Sequence, residues 1–186
     1  MKIPAEEYII RRSLFRPRDV INFINICIAK SAGKSTITAS KIKDAEATYS
    51  ELRYRAIGDE WIEDYPNLLN SLKILREKEK TFIFNEISEK IIEDFVIDTI
   101  GTTANSSCLI YQLCQNCWDE HISFADVRNK LLKIFYMVGA IGVRTRTSGL
   151  SWSFEGENIL QDSEILGNEK VEICPMFYRV LGVSPK

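Results

Sequence analysis

The chain has 186 residues, room for one large domain or two small ones, and its 45% hydrophobic and 27% charged content is that of an ordinary globular protein. The longest apolar stretch, Leu131 to Val143, is broken by Lys133 and falls short of the roughly 20 apolar residues a membrane span needs, so no membrane partner is expected. Five cysteines without framework spacing suit a reducing cytoplasm, and Glu6 and Glu7 stand where a signal peptide has its apolar stretch.

The net charge of −2 is unevenly spread. Residues 1–55 carry a balance of +5 and residues 56–100 a balance of −6. A positive segment beside a negative one fits two halves that attract each other, or a surface for a charged partner. Strong nucleic-acid binders carry a clear basic excess, and only the first segment has one.

In chain order, Arg16-Pro17-Arg18-Asp19 opens a helix with proline in its first turn. Val20, Phe23, Ile24, Cys27 and Ile28 give it one apolar face, and Gly33 stands where a C-terminal cap belongs. Thr38 caps a second helix whose buried stripe is read as Ile42, Ala45, Tyr49, Leu52 and Ala56, with Gly58 as a candidate break. Trp61 to Leu75 repeats a helical pattern that Pro66 either kinks or restarts, and "TFIFN" is a short extended piece. Asn85 is placed as the cap of the next helix, which carries Ile87, Ile91 and Phe95, and Gly101 to Ser107 is a turn cluster. A helix through Ile110, Leu113, Cys114, Cys117 and Trp118 follows, then one from Ser123 to about Val138. Alternation on both sides of Ser148-Gly149 predicts a β-hairpin. A strand through Val171 and Ile173 and a short terminal helix from Pro175 complete the order. The expected fold class is mainly α: a helical bundle over residues 1–80, then three helices and a small hairpin over 81–186, the outline of a winged-helix domain.

Four motifs invite chemistry. Ala32-Gly33-Lys34-Ser35 looks like the end of a P-loop, but the loop's first glycine would fall at residue 28, which is Ile28, and a helix precedes the motif where a P-loop needs a strand. A capped turn between helices is the favoured reading. Cys114-x-x-Cys117 with His121 could share a helical face as zinc ligands, yet that face is also apolar and no second Cys-x-x-Cys exists, so buried cysteines are preferred and no metal is expected. Arg128, Lys130 and Lys133 on the helix before the hairpin, with Arg144 and Arg146 on its first strand, are the candidate DNA contacts. That helix is apolar over much of its surface, which favours packing or partner docking over base reading. Finally, Arg16 and Arg18 at a helix N-terminus oppose the helix dipole, so something anionic compensates them: an external group, or a neighbour such as Asp19, Glu6 or Glu7.

The run from Arg16 to Trp61, "RPRDVINFINICIAKSAGKSTITASKIKDAEATYSELRYRAIGDEW", resembles the helical lid of bacterial P-loop ATPases of the AAA/STAND type, and "FYMVGAIGV" with "ICPMFYRVLGV" resembles their winged-helix C-terminus. The likeness extends from Ile10 to about Gly182. It implies that Arg18, with Arg16 as second candidate, senses the nucleotide's γ-phosphate, since a planar guanidinium suits that contact. The nucleotide-binding core of such ATPases is missing here. No catalytic residue and no cofactor are therefore expected in isolation, and ATP with Mg only with a partner core. The resemblance implies a regulatory region whose partner is a P-loop core or another protein; the alternative is a free-standing winged-helix DNA-binding regulator.

Overall fold

The computed structural model describes residues 3–102, 107–145, 149–155 and 159–184. Its architecture is mainly helical with one small antiparallel sheet, as the sequence pattern predicts. Helices α1 (Ala5–Arg12), α2 (Pro17–Lys30) and α3 (Ala39–Glu60) form the first group. Short α4 (Leu68–Ser71) runs into a 3-10 turn (Leu72–Leu75) and then β1 (Thr81–Ile83). Helices α5 (Glu89–Gly101), α6 (Leu109–Trp118) and α7 (Phe124–Met137) precede strands β2 (Ile141–Thr145), β3 (Gly149–Ser151) and β4 (Lys170–Ile173). No helix among the described residues is long and apolar enough to cross a membrane.

The helix starts follow their capping chemistry. The Thr38 side chain accepts from the Lys41 amide at the head of α3. Ser123 and Asp126 form a reciprocal capping box on α7: the Asp126 amide donates to Ser123 Oγ at 3.2 Å, and the Ser123 amide donates to Asp126 Oδ2 at 2.9 Å. The hydrogen bonds from the Ser123 hydroxyl and amide hold the Asp126 carboxyl below the usual carboxylate range.

Several boundaries differ from the sequence reading. Helix α3 runs unbroken through Gly58, because an ideal Cβ there would come within 2.7 Å of Leu69; glycine serves close packing and not a break. Trp61 to Leu75 is not one helix. Pro66 removes a donor and restricts Tyr65, so the chain turns before α4 and tightens into 3-10 geometry. Ser88, not Asn85, is the N-cap of α5; the Asn85 amide group instead donates to the Asn168 side chain at 2.9 Å. Leu52, placed in the buried stripe of α3, is exposed, as are Ile24 and Ile28 of α2. Past Pro175 the chain forms a 3-10 turn, Pro175–Phe177, rather than an α-helix. The turn read at Gly101 to Ser107 lies largely outside the described residues.

The hairpin exists, with Val143 opposite Ser151 and Thr145 opposite Gly149. It belongs to a larger sheet of order β1-β4-β2-β3, so the strand read at Val171 and Ile173 is central. β4 joins "TFI" of β1 on one side to β2 on the other. Strand β2 packs on α7, and Phe84, just past β1, meets Phe135 of α7 edge-on at 6.0 Å between centroids. The chain's end then folds back on α3: the Val180 amide donates to Ser50 Oγ at 3.1 Å, and Phe177 meets Tyr54 edge-on at 6.1 Å. The apolar core is continuous from Phe23 on α2 to Leu181.

The cysteines belong to that core. Cys27, Cys108, Cys114, Cys117 and Cys174 are all buried free thiols, while His121 is exposed. Burial pushes Cys114 and Cys174 up to about 12. Among the described residues no three His, Cys, Asp or Glu side chains gather in a metal-ligating arrangement.

Two expected outcomes follow from this packing. At about pH 9 an ordinary exposed thiol is largely ionised, but Cys114 and Cys174 should escape iodoacetamide in the native protein and label only on unfolding. Rapid native labelling of either, mapped by mass spectrometry, would contradict their burial. Gly142→Ala on β2 would place a Cβ 2.8 Å from the Trp152 ring, itself only 5% exposed. With no room for the indole to retreat, the variant should lose about 2 kcal/mol in urea unfolding followed by tryptophan fluorescence; an unchanged midpoint would refute this seating of the ring.

Candidate functional site

The first turn of α2 is set by what it buries. Phe15, at φ 58, ends a tight connection from α1, and Pro17 fixes the first helical residue. Two residues on, Asp19 is buried at 1% exposure, and Arg53 Nη1 of α3 lies 3.4 Å from its Oδ1. A buried carboxylate needs such a partner, so the pair fixes the rotation of α2 about its axis. One turn further, the Phe23 and Tyr49 rings stack with centroids 4.7 Å apart. Burial raises the Tyr49 hydroxyl well above its ordinary range, and the nearby Asp19 charge adds to the effect.

With Asp19 turned inward, the two arginines separate. Arg18, about 100° around the helix from Asp19, is exposed. Arg16 is half-buried, and its guanidinium lies 4.0 Å from the centre of the Phe154 ring. This cation–π contact is part of what compensates a positive charge at a helix N-terminus. Arg16 and Arg53 line a cavity of about 240 Å³ with Glu60, Gly139 and Cys174. So the structure does not bring Arg16 and Arg18 together: one lines a pocket beside Phe154 and the other faces solvent.

Beyond Arg18 the outer face of α2 carries exposed isoleucines beside the exposed Asn22 and Asn25. Ile21, Ile24 and Ile28, spaced three and four apart, are 58%, 38% and 56% exposed. Ile37, in the connection to α3, is exposed beside them, and Phe15 is exposed before them. The Ser31–Thr36 loop closes this row. Gly33 takes φ 77 in a turn where the Lys34 amide donates to the Ser31 carbonyl, and Lys34 is exposed. A helix leads into this loop, so the phosphate-loop geometry of strand, loop and helix is not formed.

The five basic residues placed near the hairpin have different surroundings. Arg128 Nη1 donates to the carbonyls of Asn85 and Ile87, each at 3.1 Å, so its guanidinium ties α7 to the segment before α5. Lys130 is exposed and Lys133 half-buried; both line a groove of about 580 Å³ with Leu109, Leu113 and Met137. Arg144 is exposed on β2, in register with Leu150 on one side and Lys170 on the other. Arg146 lies outside the described residues.

Sequence reasoning missed Arg53 and Glu46, the two charged residues on the inner side of α3. Both could be read from spacing: Glu46, Ser50 and Arg53 follow the buried positions of α3 at intervals of four and three. A charge at such a position signals a partner on the facing helix. Glu46 is 4% exposed, and Arg12 Nε stands 2.7 Å from its Oε1.

Residues 1–58, which take in α1, α2 and nearly all of α3, match the family model of a FunZ-associated C-terminal helical domain. Comparison with curated proteins and with solved structures gives no match.

Proposed function

We propose that this chain is a non-catalytic regulatory and interaction region of a P-loop ATPase, coupling the nucleotide state of a separate core to a winged helix built from residues 81–186. The observation that carries this reading is the outer face of α2, where an exposed Arg18 stands at the head of the uncovered row Ile21, Ile24 and Ile28. A protein surface covering that row would bring its own bound phosphates to the arginine. ATP and Mg belong to the partner, and Arg18 supplies a charge-assisted contact to the γ-phosphate. The match of residues 1–58 to a domain described as associated and helical supports an accessory role for this part.

The packing supplies a route for coupling. The Asp19–Arg53 pair and the Phe23–Tyr49 stack join α2 to α3. Ser50 and Tyr54 join α3 to the C-terminal turn, and Arg16 joins the head of α2 to Phe154, just past β3. A shift of α2 against a partner core therefore loads the sheet end of the molecule directly. Arg128, committed to two backbone carbonyls, is better suited to hold α7 in place than to read DNA.

Co-expression with the P-loop domain encoded upstream of this chain, in frame or in an adjacent gene, tests the reading. A stoichiometric complex is expected by light scattering, together with a change in ATP turnover. Ile24→Asp should abolish the complex, while Arg18→Ala should leave it intact and reduce the effect on turnover by roughly tenfold or more, as for an arginine supplied in trans. Upstream sequence with no Gly-x-x-x-x-Gly-Lys-Ser/Thr domain, in frame or adjacent, would overturn the proposal, as would turnover indifferent to the chain.

A further inference from the structure

One groove shares no lining residue with the row on α2 and has a different chemistry. It encloses about 630 Å³ between α1, α3, the segment before β1 and the C-terminal turn. Arg11, Lys43, Lys80 and Arg179 line it, one from each of those four parts, and all four are exposed. Among the described residues, Arg11 is paired only with Glu7 across one exposed helical turn, and Lys43, Lys80 and Arg179 take part in no ion pair. The one acidic residue in the lining, Glu46, is already neutralised at the floor by Arg12 and accepts a 2.7 Å hydrogen bond from the Tyr8 hydroxyl. Outside the lining, Glu7 pairs with Arg11 and Glu172 lies close to Tyr178.

The floor is rigid. The Arg12 guanidinium lies over the Tyr8 ring at 5.1 Å and the Tyr178 ring at 4.7 Å, so α1 and the C-terminal turn are held in one cluster. Three cations without an ion pair, and Arg11 with its exposed partner Glu7, therefore stand around this base, in a protein whose net charge is −2. Concentrating like charges in one groove is unfavourable unless an anion occupies it. The +5 balance of residues 1–55 is thus partly focused here, and Lys80 and Arg179 are added to it from distant parts of the chain.

We propose that this groove binds the sugar–phosphate backbone of a nucleic acid. The cations come from four separate segments around the groove, which suits successive phosphates better than a single terminal one. Ile3, Pro175 and Val183 add apolar wall against which sugars or bases can lie. This site is independent of the ATPase reading, because it needs neither a partner core nor Arg18.

The test uses the full chain alone, with a fluorescein-labelled oligonucleotide offered as a single strand and as a duplex, in anisotropy titrations from about 50 to 200 mM salt. Binding of either form, weakening steeply with salt, is expected. Lys43→Ala, Lys80→Ala and Arg179→Ala combined should weaken binding more than tenfold at low salt and reduce the log–log salt slope by about 2 to 3. Circular dichroism checks that the triple variant is folded; if it is not, the single variants should each lower the slope by about 1. The paired change Lys130→Ala with Arg144→Ala, on the α7 and hairpin side, should leave binding unchanged. Four results would overturn the proposal: no binding at low salt, binding of tripolyphosphate but of neither oligonucleotide, loss of affinity only in the Lys130/Arg144 variant, or salt-sensitive self-association that accounts for the groove without nucleic acid.

Discussion

A buried carboxylate on α3 sets how the first helix docks. Glu46 sits inside α3 at 4% exposure, where an unpaired charge would cost several kcal/mol. Arg12 and the Tyr8 hydroxyl both come from α1, so neutralising Glu46 means docking α1 onto α3 in one register. Tyr8 serves as a donor in this cluster: burial, then the hydrogen bond to Glu46, raises its pKa, which keeps the proton on the phenol. Arg12 extends the cluster to Tyr178 and so anchors the far end of the chain on the same spot. The direction of α1, the placement of the C-terminal turn and the floor of the basic groove are consequences of one desolvated acid.

Asp19 and Arg53 repeat the device with the charges exchanged, the acid on α2 and the base on α3. Hydrophobic burial would tolerate several rotations of α2 about its axis, since the helix carries isoleucines on more than one side. The ion pair removes that freedom, and the Phe23–Tyr49 stack completes the fit. The cost is that Ile21, Ile24 and Ile28 are left facing water. A stable helix that keeps three isoleucines outward because an aspartate must point inward has been fixed by something other than maximal apolar burial. That is the physical ground for treating the outer face of α2 as a contact surface.

Much of this was legible in the sequence. The positions of α2, α3, α6 and α7, the Ser123 cap, the hairpin and the strand through Val171 follow from period, capping residues and turn residues, because those signals are local, whereas α1 was not read. What was not legible depended on partners distant in the chain. Ile24 and Ile28 have the same spacing as core residues, and only the buried Asp19 reveals that the helix is turned. Asn85 looks like a cap until Asn168, 83 residues away, takes its side chain. Arg128 looks like a DNA contact until the carbonyls of Asn85 and Ile87 occupy it. The basic excess of residues 1–55 was plain from counting, but its focus was not, because Lys80 and Arg179 reach the groove through the sheet and the C-terminal turn.

The two proposed surfaces both connect to the inner face of α3, through Glu46 and Arg53, and that arrangement carries a thermodynamic consequence. The α2 face reaches α3 through Asp19–Arg53, and the basic groove reaches it through Glu46–Arg12, only two turns away along the same helix. An anion drawn into the groove competes for the guanidinium side of the Arg12 cluster, while a partner on α2 pulls on the Arg53 side. If either ligand favours one packing of α3 over another, linkage requires the second to feel the same free-energy difference. The coupling needs no long chain of intermediates, because a single rigid helix holds both buried ion pairs. An ATPase partner on one face would thus alter affinity for a polyanion on the other by as much as the polyanion alters affinity for the partner.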